Sequence, residues 1–206
     1  MSPVEPREGA PTAKRAQVQA DVLQATEELL AGGASFAELN VERIATAAGI
    51  SRTAFYFYFR DKRELLMRLA GELTEALYAQ ADIWFSGHGD PAEEVRTALR
   101  NIRGLYDEHG PLLRAIVEVS ATDAEIAGFW RSLLGRFVDA TSRRIEAEAS
   151  PALPPDSTAF ALVWMVERSF YQWLVQESAP PRDEQVEALV GIWLRTIYGT
   201  TTPPGH

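Results

Sequence analysis

The chain has no cysteine in 206 residues, which excludes disulfides and thiolate metal sites together. Histidine is almost as scarce, with only His88, His109 and His206. His88 and His109 fall at loops or helix ends, and neither has a metal-ligand partner four residues on. No metal site is expected. Gly87-His88-Gly89 follows no strand pattern, so it reads as a turn rather than a phosphate loop. Glu93-Glu94 and Asp107-Glu108 sit beside helix ends, where solvated carboxylates are common. The expectation is a protein that is not an enzyme and needs no cofactor. Long apolar runs are missing too. The most hydrophobic segment, 160–175, is interrupted by Glu167 and Arg168 and falls short of the ~20 residues that span a bilayer. No apolar run near the N-terminus resembles a signal peptide. A cytoplasmic protein without membrane association is expected.

What the chain has in quantity is helical punctuation. No strand pattern competes and no internal repeat is found, so the fold class is all-α with nine helices. Residues 1–13 are proline-rich and aperiodic and are expected to be a disordered arm; 201–206 form a disordered tail. Lys14 and Arg15 follow the arm and either reach phosphate or are a solvated basic pair. Helix one is predicted from Ala16 to Leu30, with Val18, Val22, Ala25 and Leu29 on one face. Asn40 caps helix two, to Ala48, and Gly49 supplies the turn. Ser51 caps helix three. Asp61 with Glu64 makes a capping box for helix four, which continues to about Trp84. Asp90-Pro91 opens helix five, which ends near His109, and Leu112–Val119 form helix six. Thr122, three before Glu125, caps helix seven, to about Ala149. Asp156 caps helix eight, to Glu177, and helix nine runs from about Asp183 to Tyr198. Two functional parts are expected, 14–60 and 61–200.

The segment 44–66 carries the most chemistry. On helix three Ile50, Phe55 and Phe59 recur at helical steps and point inward, leaving Arg52, Thr53, Ala54, Tyr56 and Tyr58 outside. Five successive aromatics, 55–59, cannot all be core on one helix. Small residues such as Thr53 and Ala54 let a helix approach base edges. Hydroxyls and cations, as on Arg43, Ser51, Tyr56, Tyr58 and Lys62, hold phosphates and fix register. A net charge of −9 opposes DNA binding, yet between residues 43 and 63 five cations face Asp61 alone. Phosphate attraction acts over about a Debye length, ~8 Å at physiological salt, so a local basic patch suffices.

The pattern A-x-x-A-G-I-S-x-x-x-x-Y-x-Y-F-x-x-K-x-x-L, which spans 45–65, resembles the DNA-binding domain of the TetR family of bacterial transcriptional regulators. The resemblance implies a nine-helix TetR-type architecture: a helix-turn-helix domain, 14–60, and a body, 61–200, for ligand binding and dimerisation. It makes Thr53, Tyr56, Tyr58 and Lys62 DNA contacts. It implies a double-stranded operator, most simply a palindrome, and a repressor released by a small effector. A homodimer through the last two long helices is implied as well. Helix eight supports that, being apolar nearly all round and needing cover on both sides.

A pocket in the body is also implied. Its candidates are Trp84, Leu99, Ile102, Tyr106, Trp130, Phe137, Thr141, Val163, Val166, Phe170 and Trp193, each of which could equally be ordinary core. In the branch of the family that shares the F-Y-F-Y-F run, two asparagines on helix eight face the ligand. Val163 and Val166 stand at the matching positions here, which implies a more apolar effector. The competing reading is a helical protein that binds hydrophobic ligands and does not regulate DNA.

Overall fold

The computed structural model describes residues 13–148, 153–176 and 182–199. Among these residues there are nine α-helices and no strand. The expected arm before Ala13, the end of helix seven near Ala149, the Pro180-Pro181 break, the end of helix eight at Glu177 and the 201–206 tail lie outside them. The chain forms two compact units, which divide between Leu66 and Met67.

In the first unit α1 (Ala13–Ala31) starts three residues earlier than its periodicity suggests and buries Val22, Leu23, Ala25 and Leu30. Helix α2 (Val41–Ala47) is capped by Asn40, whose side chain accepts from the Arg43 N–H at 2.9 Å. Gly49 then takes φ +68°, a conformation that costs any residue with a Cβ. Ser51 caps α3 (Arg52–Tyr58), its Oγ accepting from Ala54 N–H at 3.0 Å. Phe55 and Phe59 are fully buried with ring centroids 5.3 Å apart. Asp61 opens α4 (Lys62–Phe85) by accepting from Glu64 N–H at 2.8 Å. The return bond of the expected box goes elsewhere: Glu64 Oε2 accepts from Arg60 N–H at 2.9 Å.

Helix α4 carries the chain into the second unit. There α5 (Pro91–Glu108), α6 (Gly110–Ser120), α7 (Ala124–Glu146), α8 (Pro155–Phe170) and α9 (Arg182–Tyr198) follow, with a π-helical continuation of α8 at Tyr171–Val175. Helix α7 packs along α8, and α5 along α9. Two caps differ from expectation. Asp123 rather than Thr122 caps α7, because its carboxylate accepts from both Glu125 and Ile126 N–H, while the Thr122 hydroxyl donates back to Val119 O. Asp156 lies inside the first turn of α8 and accepts from the Ser142 hydroxyl at 2.6 Å. Pro155 takes the first helical position, where no N–H is required.

The carboxylates beside the ends of α5 have structural partners. Glu94 accepts from Gly89 N–H at 2.6 Å, and Glu93 and Asp107 pair with Arg96 and Arg103.

The packing of α3 is testable. Phe55→Ala should cost about 3–5 kcal/mol in urea unfolding, as expected for emptying a closed aromatic site. Phe57→Ala, at a ring 69% exposed, should stay within about 0.5 kcal/mol of the parent. Equal losses at both positions would mean that α3 is rotated from the orientation described.

Candidate nucleic-acid interface and effector cavity

The outward face of α3 is fixed by what its inward face buries. With Phe55 and Phe59 closed into the first unit, Arg52, Thr53, Tyr56 and Phe57 are exposed, while Ala54 and Tyr58 are half-buried. Ser51 is exposed at the helix start and Arg43 on α2. The residue that sequence reasoning left unassigned is Phe57. The signal was present: two positions from both Phe55 and Phe59, it must point away from the side they bury. The Arg15 guanidinium sits 5.5 Å from its ring centroid, which gives the basic pair after the arm a partner within this unit.

Lys62 is placed differently from a free phosphate cation. Its Nζ donates to the carbonyls of Phe36, Ala37 and Leu39 at 2.9, 3.1 and 3.0 Å and lies 5.1 Å from the Phe36 ring centroid. Partial burial pulls its pKa below the ordinary lysine value. An ammonium has three protons to donate, and all three are taken. The local basic excess is also smaller than the count over 43–63 implies. Glu42 and Glu64 flank that window; Arg52 lies 4.0 Å from Glu42 and Arg60 is 3.1 Å from Glu64.

In the second unit α4, α5, α7, α8 and α9 enclose a cavity of about 80 Å³. Nine of the eleven expected residues line it: Trp84, Leu99, Ile102, Tyr106, Phe137, Thr141, Val163, Val166 and Trp193. Phe170 does not; its ring is fully buried between Tyr106 and Trp173, with centroids 5.5 and 5.9 Å away. Trp130 is buried elsewhere in the unit. Leu77, Ala81, Phe85, Val95, Ala98 and Leu134 complete the apolar wall. Most of them continue faces already visible, since Leu77 and Ala81 precede Trp84 at helical steps.

The unexpected member is Glu167. It is 4% exposed and its Oε2 accepts no hydrogen bond; the nearest cation, Arg168 Nε, is 3.6 Å away on a half-exposed side chain. Burial raises the Glu167 carboxyl pKa above the usual carboxylate range, and Arg168 only partly opposes the shift. The Tyr106 phenol is pushed up as well, by its own burial first and then by the Glu167 charge. Among the described residues no cluster of acidic or histidine side chains could hold a metal, and no helix is long and apolar enough to cross a membrane.

Comparison with known proteins agrees with this geometry. Residues 22–69 match the family "Bacterial regulatory proteins, tetR family", and residues 95–199 match "Transcriptional regulator EthR, C-terminal domain". The chain is 33% identical over 187 residues to the HTH-type transcriptional regulator EthR of Mycolicibacterium smegmatis, covering 85% of this chain and 84% of the relative. Among solved structures, a TetR-family regulator from Syntrophomonas wolfei superposes with a TM-score of 0.74 at 16% identity, over 92% of this chain and 99% of that one. AibR, in complex with isovaleryl coenzyme A and operator DNA, gives 0.63 at 16% identity, over 85% and 97%.

The buried carboxyl makes stability depend on pH. Its folded-state pKa lies above the unfolded value, so its contribution is intact below the ordinary carboxylate range and is lost as pH rises through the raised value. Glu167→Gln stays neutral throughout. Its melting temperature should match the parent in acid and exceed it progressively as the pH rises above the ordinary carboxylate range. A difference that is flat with pH would show that the carboxyl is solvated.

Proposed function

The chain belongs to the tetR family of bacterial regulatory proteins, with an EthR-type C-terminal domain, and from that premise we propose that it is a transcriptional repressor released by a small, largely apolar effector. Its work on DNA would take place in the cytoplasm. The observation that carries the reading is the exposed polar face of α3 over a sealed aromatic pair. The N-terminal part of α3 enters the major groove, with Thr53 and Ala54 nearest the base edges. Arg43, Ser51, Arg52, Tyr56 and Tyr58 hold phosphates. Lys62 acts from behind, by tying the start of α4 to the 36–39 loop.

The operator is bound by a homodimer through α8 and α9. Phe160 is 58% exposed on α8 and Ile192 is exposed on α9, beside an apolar groove that includes Leu153, Leu162 and Met165. Such a surface is more apolar than a free face usually is. Two copies set their α3 helices about 34–36 Å apart, one turn of DNA, and the operator is a palindrome.

The effector enters the second-unit cavity. That space is well below the roughly 300–1,000 Å³ of drug-sized sites, so entry has to part the lining. Leu77, Ala81, Trp84 and Phe85 all lie on α4, whose first turn carries Lys62. Movement of α4 is therefore the route by which a ligand lowers DNA affinity, and by linkage DNA lowers ligand affinity equally. Val163 and Val166 keep the α8 wall apolar.

Fluorescence anisotropy on DNA from immediately upstream of the gene tests the DNA side. The parent should bind tightly with steep salt dependence. Tyr56→Phe should weaken binding about five- to tenfold, one hydrogen bond's worth, without changing the melting temperature. Lys62→Ala should weaken binding and lower the melting temperature together. Binding no tighter than to random DNA, and equal in all three, would favour a ligand-binding protein that does not read operators. For the dimer, Phe160→Glu with Ile192→Glu should convert the protein to monomer in sedimentation velocity. A double variant that stays dimeric would move the interface off these helices.

A further inference from the structure

The cavity is unbalanced in its polar chemistry. Three residues of its wall carry a buried polar atom with no hydrogen-bond partner: Glu167 at Oε2, Thr141 at Oγ1 and Trp193 at Nε1. They come from three helices, α8, α7 and α9. Glu94 Oε2, Arg103 Nε and Arg144 Nε are also without a hydrogen-bond partner, whereas other buried groups of these kinds are satisfied. Buried Thr26 and Thr74 donate to the carbonyls four residues back, at 2.7 and 2.6 Å, and the Trp84 indole donates to Tyr198 Oη at 3.1 Å. Leaving one such group unpaired is costly, and more so for a charged one. Three around one hollow mark a place where a partner is missing.

No cation lines the cavity itself; Arg168, whose Nε is 3.6 Å from Glu167 Oε2, is half-exposed and outside the lining. The lining contains one carboxylate, no lysine, arginine or histidine, and the rings of Phe85, Tyr106, Phe137 and Trp193. Trp84 is set apart because Arg144 already sits 5.8 Å from its ring centroid. A carboxylate among aromatic faces is the chemistry that receives an organic cation. We propose that the effector carries one protonated nitrogen on an apolar body, with the nitrogen seated at Glu167 and the body against the aromatic wall. This rests on the reading of the cavity as the effector site and narrows its ligand to lipophilic amines. Thr141 and Trp193 supply a hydroxyl and an N–H for a second, uncharged polar group on the same molecule.

A matched series tests the assignment: 4-phenylbutylamine, 4-phenyl-1-butanol and 4-phenylbutanoic acid, which share one apolar body and differ in head group. Binding is read by tryptophan fluorescence and calorimetry on the full chain without DNA. The amine should bind at least tenfold more tightly than the alcohol, and the acid more weakly than either. In Glu167→Gln the preference for the amine over the alcohol should disappear. An amine no tighter than the alcohol in the parent, an acid that binds best, or an amine preference that survives in Glu167→Gln overturns the amine assignment and leaves an apolar effector site standing. Binding by none of the three removes the effector-site reading, and this assignment with it. The head-group comparison in the parent decides the matter even if the variant folds poorly.

Discussion

Two rings, Phe55 and Phe59, set the rotation of α3 about its own axis. Both are sealed into the first unit, and at four positions apart they fix which side of the helix is left out. Thr53, Tyr56 and Phe57 face solvent because these two do not. The caps act on the same geometry from the ends: Asn40 and Ser51 satisfy free N–H groups, and Gly49 turns the chain between them. The outward face of α3 is thus set largely by residues that do not lie on it.

The second unit obeys a different constraint. Its core is mostly aliphatic, and the rings of Trp84, Phe85, Tyr106, Phe137 and Trp193 gather around the hollow. Tyr78, Phe85 and Phe137 meet at 5–7 Å centroid distances, tilted or edge-on, as aromatic quadrupoles prefer. The remaining hollow coincides with three unpaired polar atoms, so it is more than a packing defect. An apolar void of the same size would stay dry and indifferent. The wall of this one includes the Glu167 carboxyl.

Much of this was legible in the sequence, and what was missed shares a physical cause. Asn40, Gly49 and Ser51 act on neighbours within a few residues, so their roles can be read from spacing. The helix order and the apolar faces of α5 and α8 follow from periodicity, and those faces led to most of the cavity wall. Thr122 and Asp123 are both good caps one residue apart, and only the backbone geometry chose between them. Phe170 and Trp130 were indistinguishable from Trp193 in sequence, since which side of a filled helix meets a hollow depends on three-dimensional packing. Lys62 and Glu167 were misplaced or unseen because their partners are remote: three carbonyls more than twenty residues back for the first, and an absence of partners for the second. A carboxylate inside an apolar run reads as an interruption of that run, whereas here it is buried in the cavity wall.

The clasp of Lys62 on the 36–39 carbonyls separates two kinds of selection within one short segment. A lysine committed to main-chain oxygens is held by the requirement to fold, which is the same whatever DNA lies opposite. Thr53 and Ala54, exposed or half-exposed on α3, carry no such obligation. Replacing either disturbs no bond of that kind, whereas replacing Lys62 removes three.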